Sequence, residues 1–358
     1  MNPSPAPVVG RQSHLDVLRA IAVLLVLARH HRATGFLHDI GWIGVDPFFV
    51  LSGFLVAGLL FKEHRSSGML HIGRFLLRRS LKIHPLFYLV LALTVLERAL
   101  FGWDEPLIGY MVEVLFLQSY FEGVWSHTWS LAVEEHFYLL LALVAFASVR
   151  WWPRMRFRTF LVLCGGAAIL CLAGRVCTTM LLPFDEHTHL FATHARLDAL
   201  LCGVVLAAWF HYRTASFKHF FRRGLAWKSG IAVLLVAPVF FLDVRSAFIT
   251  SIGFTIIYLS GAWWVGLAAT ADGASNARHM QWLILLGRSS YAIYLVHLLM
   301  LDAARWFSGP IWKLGGLGEC AFYFATSLGA GITLTQLVER PILRWRDKVL
   351  PAVRVGRD

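Results

Sequence analysis

Arg19 and His30 both lie in the run LDVLRAIAVLLVLARHH, residues 15–31, where most other side chains are apolar. Eleven residues at 100° each make about 1,100°, or three turns plus 20°. In a helix the guanidinium and the imidazole therefore leave one face, about 16 Å apart along the axis. A basic residue and a proton-exchanging imidazole on one face are the materials of substrate positioning and general-base catalysis. Ionisable groups inside an apolar run of membrane-spanning length usually face a protein interior or an aqueous cavity. Taken alone, the pair reads equally well as two side chains snorkelling to opposite headgroup layers.

Other runs bring polar residues to the depth of His30. Asp46 opens one in GWIGVDPFFVLSGF, and HTWSLAVEEHFYLL opens another with Trp129, Ser130 and Glu134. Ser130 and Glu134, four residues apart, share a helical face. Arg196 and Asp198 stand in HARLDALLCG, and His297 ends SYAIYLVH with Tyr294 and Tyr291 one and two turns below it. Carboxylates and imidazoles in a low dielectric shift one another's pKa, which is the usual setting of acid/base chemistry. Each could be a buried structural group, but five runs converging at one depth are harder to explain as packing. Near the level of Arg19, GRFLLRRSLKIHPLF carries Arg74, Arg78, Arg79 and Lys82. This cluster is either a membrane anchor or a phosphate clamp. There is no Walker loop and no GxGxxG, and the five cysteines show no metal-ligand spacing, so no metal site is expected.

The elements that position these residues are membrane helices. The chain has 358 residues, of which 58% are hydrophobic and 15% charged, too few charges for a soluble domain. Its mean hydropathy is +0.63. Runs of spanning length fall near 14–33, 41–61, 83–100, 127–149, 159–182, 190–211, 227–242, 247–270, 282–306 and 318–338. The segment PLIGYMVEVLFLQSYF, 106–121, is too short and carries Glu113, so it reads as a re-entrant or interfacial helix. With ten spans, the Lys and Arg of 62–82, 150–158, 212–228, 271–281 and 339–358 all fall on one side. That side is cytoplasmic, and so are both termini. The net charge of +12 is then mostly a topology signal, and no nucleic-acid partner is expected. The expected fold is all-α: a polytopic bundle of about ten transmembrane helices forming one domain over 1–358. The motifs occupy 14–341, between cytoplasmic tails at 1–13 and 342–358.

The motifs LDVLRAIAVLLVLARH, GVDPFFVLSGFL, RRSLKIHPLF, HTWSLAVEEHFYLL, ARLDALLCG, SYAIYLVH and ERP occur in this order. In this the chain resembles the acyltransferase-3 family of bacterial multi-pass membrane O-acyltransferases, from about Leu15 to Pro341. The resemblance implies an acyl-CoA donor, usually acetyl-CoA, as cosubstrate rather than bound cofactor, entering from the cytoplasm. It also implies an acceptor hydroxyl on a glycan, lipid-linked saccharide or similar molecule outside the bacterial inner membrane. Carried over by motif, Arg19, His30 and Glu134 are catalytic candidates, and Asp46 joins them from its place at the depth of His30. Arg19, Arg78, Arg79 and Lys82 would hold the donor, and Lys82 stands where the family commonly has a second Arg. Trp129, Ser130, Arg196, Asp198, Tyr291, Tyr294 and His297 would line the substrate site. His136 and Val296 depart from the family's usual Gln and aromatic residue. No SGNH-type domain is seen. In one expected mechanism His30, poised by Glu134 or Asp46, deprotonates the acceptor hydroxyl; in the other it carries the acyl group covalently. A transporter or flippase using the same groups as a proton relay is the rival class, but it should show inverted-repeat hydropathy, and none is visible.

Overall fold

The computed structural model describes residues 10–102, 105–151, 157–271, 278–308 and 316–351, and within them the chain is helical. The first half contains α1 (Gly10–Arg29), α2 (Phe36–Ile40), α3 (Val45–Ser67), α4 (Ile72–Phe101), α5 (Leu107–Val114), α6 (Trp129–Trp151) and α7 (Phe157–Leu181). The second contains α8 (Leu197–Tyr212), α9 (Thr214–Arg222), α10 (Leu225–Val236), α11 (Phe254–Thr270), α12 (Arg278–Arg288), α13 (Ser290–Ser308), α14 (Gly316–Leu334) and α15 (Arg340–Val349). The basic residues Arg154, Arg156, Arg354 and Arg357, and the acidic Asp104, lie outside the described residues.

Six helices are long and apolar enough to cross a membrane, or up to eight if each of two bent pairs is one span. The bends are 80° between Thr214–Arg222 and Leu225–Phe240, and 76° between Met280–Arg288 and Ser290–Phe307. The expected runs at 227–242 and 282–306 are thus parts of broken elements. At 16 residues, α8 is a shorter apolar helix. In 106–121 only Leu107–Val114 is helical. Eight residues rise about 12 Å, so this helix does not cross a bilayer.

Burial separates interior from lipid-facing helices. On α7, Val162, Leu163, Leu170 and Met180 are all exposed, an apolar surface that a bilayer covers. By contrast, Ala20, Val23 and Leu27 of α1 are fully buried, although this helix carries the charges. One apolar core gathers α3, α8 and α11 through residues such as Phe49, Leu200 and Val265. A second gathers α1, α4 and α13 through Leu27, Leu86 and Ile293. Small residues allow the close helix contacts: a Cβ on Gly53 would stand 2.0 Å from the Leu200 carbonyl oxygen. A Cβ on Gly287 would stand 1.7 Å from that of Asp16, which fixes α12 against the start of α1. Val45 and Tyr291 pack against both cores.

Candidate active site

Two cavities lie along α1, of about 130 and 380 Å³. Arg19 lines the first and His30 the second, as their shared helical face requires. Val45 and Tyr294 line both. The Tyr294 hydroxyl donates to the His127 carbonyl at 2.5 Å and meets the Ser130 hydroxyl at 2.6 Å. A hydrogen-bonded tyrosine therefore stands between the two spaces.

In the Arg19 cavity, Arg79 and Lys82 of α4 join Arg19, with Arg288 from the α12–α13 bend. Asp16 holds two of these cations, Arg19 at 3.0 Å and Arg288 at 3.1 Å. Arg79 lies over the Tyr138 ring, 5.7 Å from its centroid. Tyr138 donates to Glu134 Oε2 at 2.5 Å and meets Ser52 at 2.6 Å. Glu135 pairs with His84 at 3.3 Å, and Glu339 is buried in the same wall. Tyr291, also in this wall, donates to the Ile83 carbonyl at 2.7 Å. Clustered guanidinium and ammonium groups suit a multiply charged phosphate ligand.

The His30 cavity is built on imidazoles. The His297 ring, fully buried, lies 4.7 Å from that of His30 and 4.5 Å from that of His127. His30 Nδ1 is 2.8 Å from the Val26 carbonyl and His297 Nδ1 is 2.6 Å from that of Tyr294. A carbonyl oxygen only accepts, so each Nδ1 carries the proton and Nε2 is the basic nitrogen. His127 sits in the loop before α6, which Glu113 organises. Glu113 Oε1 accepts from the Trp125 backbone N–H at 3.2 Å and the Thr128 hydroxyl at 2.8 Å. Burial pushes the Glu113 carboxyl up to about 7, against the pull of these donors.

The structure redistributes several expected site residues. Glu134 stands in the Arg19 cavity, bonded to Tyr138, and not beside His30. Asp46 is fully buried, pairs with Arg196 at 3.0 Å and lines neither cavity. Among the described residues no carboxylate is paired with His30; imidazoles and a backbone carbonyl surround it. Asp198 lies in neither cavity. It is paired at 2.6 Å with Arg175, whose guanidinium also donates to the Ala195 and Ser251 carbonyls and to Thr255. Arg78 is likewise outside the cavity, bonded to Asp347 at 2.8 Å and to the Leu350 carbonyl, so that it docks α15. Arg196 and Trp129 do line the His30 cavity, and Ser130 the Arg19 cavity.

Four residues escaped the sequence expectations: His127, Arg175, Arg288 and Glu339. Arg175, a lone arginine inside an apolar run, carried a signal of its own. His127 was visible only as the residue two places before Trp129.

The profile of the acyltransferase-3 family, described as an acyltransferase domain, matches residues 13–336. The chain belongs to this family. It is similar to the O-acetyltransferase OatA of Staphylococcus aureus strain NCTC 8325, with 29% identity over 306 residues. The match covers 79% of this chain and 49% of that protein. OatA of strain COL matches with the same identity and coverage. The chain thus spans about half the length of these curated relatives. No solved structure matches.

Proposed function

We propose that the protein is a membrane O-acyltransferase that moves an acyl group, acetyl by analogy with the relatives' names, from acyl-CoA to a hydroxyl of a surface glycan or related acceptor. The concentration of Lys and Arg in the loops supports an orientation in the bacterial inner membrane with both termini and the Arg19 cavity on the cytoplasmic side. The observation that carries this reading is the pair of cavities meeting at Tyr294 and Val45.

CoA phosphates bind Arg19, Arg79 and Lys82, and the extended pantetheine arm reaches toward Tyr294. The Arg19–His30 separation of about 16 Å matches such an arm. His30 Nε2 takes the proton of the acceptor hydroxyl, whose oxygen attacks the thioester carbonyl carbon. The new C–O bond forms, the C–S bond breaks, and the CoA sulfur leaves as thiolate and recovers the proton. The alternative route makes acyl-His30 first, and the acceptor oxygen then displaces the imidazole.

The test uses the purified full chain in proteoliposomes with radiolabelled acetyl-CoA and a mixture of surface glycans. Label on glycan hydroxyls with equimolar CoA release supports the proposal. Glycan or acetyl-CoA uptake without any CoA release overturns it in favour of a transporter.

A further inference from the structure

The wall of the His30 cavity is cationic in a way that neither topology nor packing requires. In the proposed orientation Lys and Arg concentrate on the cytoplasmic side. Arg29, Arg196 and Arg245 depart from that bias, and all three line this one cavity. Glu186 is the single carboxylate among its described lining residues; it lies 3.6 Å from Arg245, and both are open to solvent. The other two arginines are held differently. Arg29 donates to a neutral acceptor, the His38 carbonyl, at 3.1 Å. Arg196 is 3% exposed, with one nitrogen on Asp46 while Nε and Nη1 have no hydrogen-bond partner. Its guanidinium rests 3.7 Å from the centre of the Phe254 ring, so it is fixed in place without being saturated. Leaving buried donors unmatched is costly, and an anionic ligand would offset that cost. The remaining wall is aromatic: Trp42 and Trp129 line it, and Trp129 is stacked on Phe191 at 4.8 Å. Aromatic side chains such as these offer apolar contact to a sugar ring.

We propose that the hydroxyl acceptor is an acidic saccharide, held in the His30 cavity by a carboxylate or phosphate oxygen on Arg29 and Arg196. This rests on the acyl-transfer reading and adds the charge of the acceptor to it. The anion has two possible sources, a carboxylate on the sugar itself or the phosphate that links a saccharide to its lipid carrier.

The full chain in detergent is given three probes: an oligogalacturonate, the same oligomer with its carboxyls reduced, and a prenyl-diphosphate-linked N-acetylglucosamine. Binding and acetyl transfer from acetyl-CoA are both measured. At least one anionic probe should bind about tenfold or more tighter than the neutral one, the worth of one charge-assisted contact. The better of the two anionic probes identifies the source. Arg29→Gln should collapse that preference and Arg29→Lys should retain most of it. Arg32→Gln, which removes the same charge from the exposed surface nearby, should leave the preference within about twofold. A neutral oligomer that binds and is acetylated as well as both anionic probes overturns the inference and leaves acyl transfer standing. So does a preference that Arg32→Gln lowers as much as Arg29→Gln. Anion-selective binding with no CoA release from any probe overturns acyl transfer itself, and with it the assignment of the saccharide as acceptor.

Discussion

The two ends of α1 solve the problem of buried charge in opposite ways. Around Arg19, the cations Arg19, Arg79, Lys82 and Arg288 share a cavity with the carboxylates Glu134, Glu135 and Glu339. Asp16 ties down two of the four cations from behind. Balance of this kind, four cations against four carboxylates counting Asp16, keeps the empty site tolerable. Around His30 there is no such balance. His297 packs against both His30 and His127, and His30 and His297 are oriented by backbone carbonyls rather than acids. A mixed-charge site is suited to binding and a carboxylate-free imidazole cluster to moving a proton, so the proposed function divides binding and chemistry between the ends of one helix.

The sharpest break of this comparison is His30→Ala. It should lower acyl transfer by about two to four orders of magnitude, the usual span for a general base, with normal membrane insertion. Activity above about a few per cent would place the chemistry elsewhere. Next in size, Arg79→Ala combined with Lys82→Ala should raise the donor KM by about ten- to a hundredfold with a smaller loss of kcat, because phosphate contacts are already made in the ground state. Steady-state kinetics over acetyl-CoA concentration checks this; an unchanged KM would leave these residues as membrane anchors only. Glu134→Gln tests which cavity Glu134 serves. Bonded to Tyr138 beneath Arg79, it should change donor KM by about three- to tenfold and kcat less. A fall confined to kcat, as in His30→Ala, would return it to the His30 end.

The smallest effect concerns the scaffold of the His127 loop. The Glu113 carboxyl is held up at about 7 against an ordinary 4.5, so folding favours its protonated form. Its contribution to stability is full below pH 4.5 and is lost as pH rises through 7. Glu113→Gln should flatten this dependence, making a difference of about 2–4 °C in melting temperature across that window. An identical pH slope in both proteins would show that another group titrates.

Much of this arrangement was legible in the sequence, because it follows from helical periodicity. The 20° registry of Arg19 and His30 needed only their spacing, and the ordered motifs carried the family. Of the basic cluster, Arg79 and Lys82 line the Arg19 cavity and Arg78 does not. The partners were not legible. Glu134 and His30 stand at comparable expected depth, yet which way α6 faces depends on packing against α3 and α4, which spacing along α6 does not encode. Asp46 and Asp198 look alike as lone acids in apolar runs. Each is matched by an arginine from a distant segment, Arg196 and Arg175. The imidazole cluster joins residues 30, 127 and 297, and nothing local marks these three as neighbours. Helix breaks were hidden too, since the apolar composition of 282–306 continues past the 76° bend that places Arg288 in the cavity wall.

Tyr294, standing between two open spaces, has an electrical consequence. If the cavities open to opposite faces, as the proposed orientation has them, water in each carries the potential of its own compartment inward, and the membrane voltage falls mainly across the thin partition between them. In the proposed orientation the acyl group passes that partition outward and the proton of the acceptor hydroxyl passes back to the CoA sulfur, an exchange that moves no net charge. CoA, with its phosphates, stays at one potential throughout. Moving each unit charge across instead would involve about 2.3 kcal/mol per 100 mV. On the proposed function, the voltage of an energised membrane would therefore neither drive nor oppose the transfer, and the direction of modification would be left to the thioester alone.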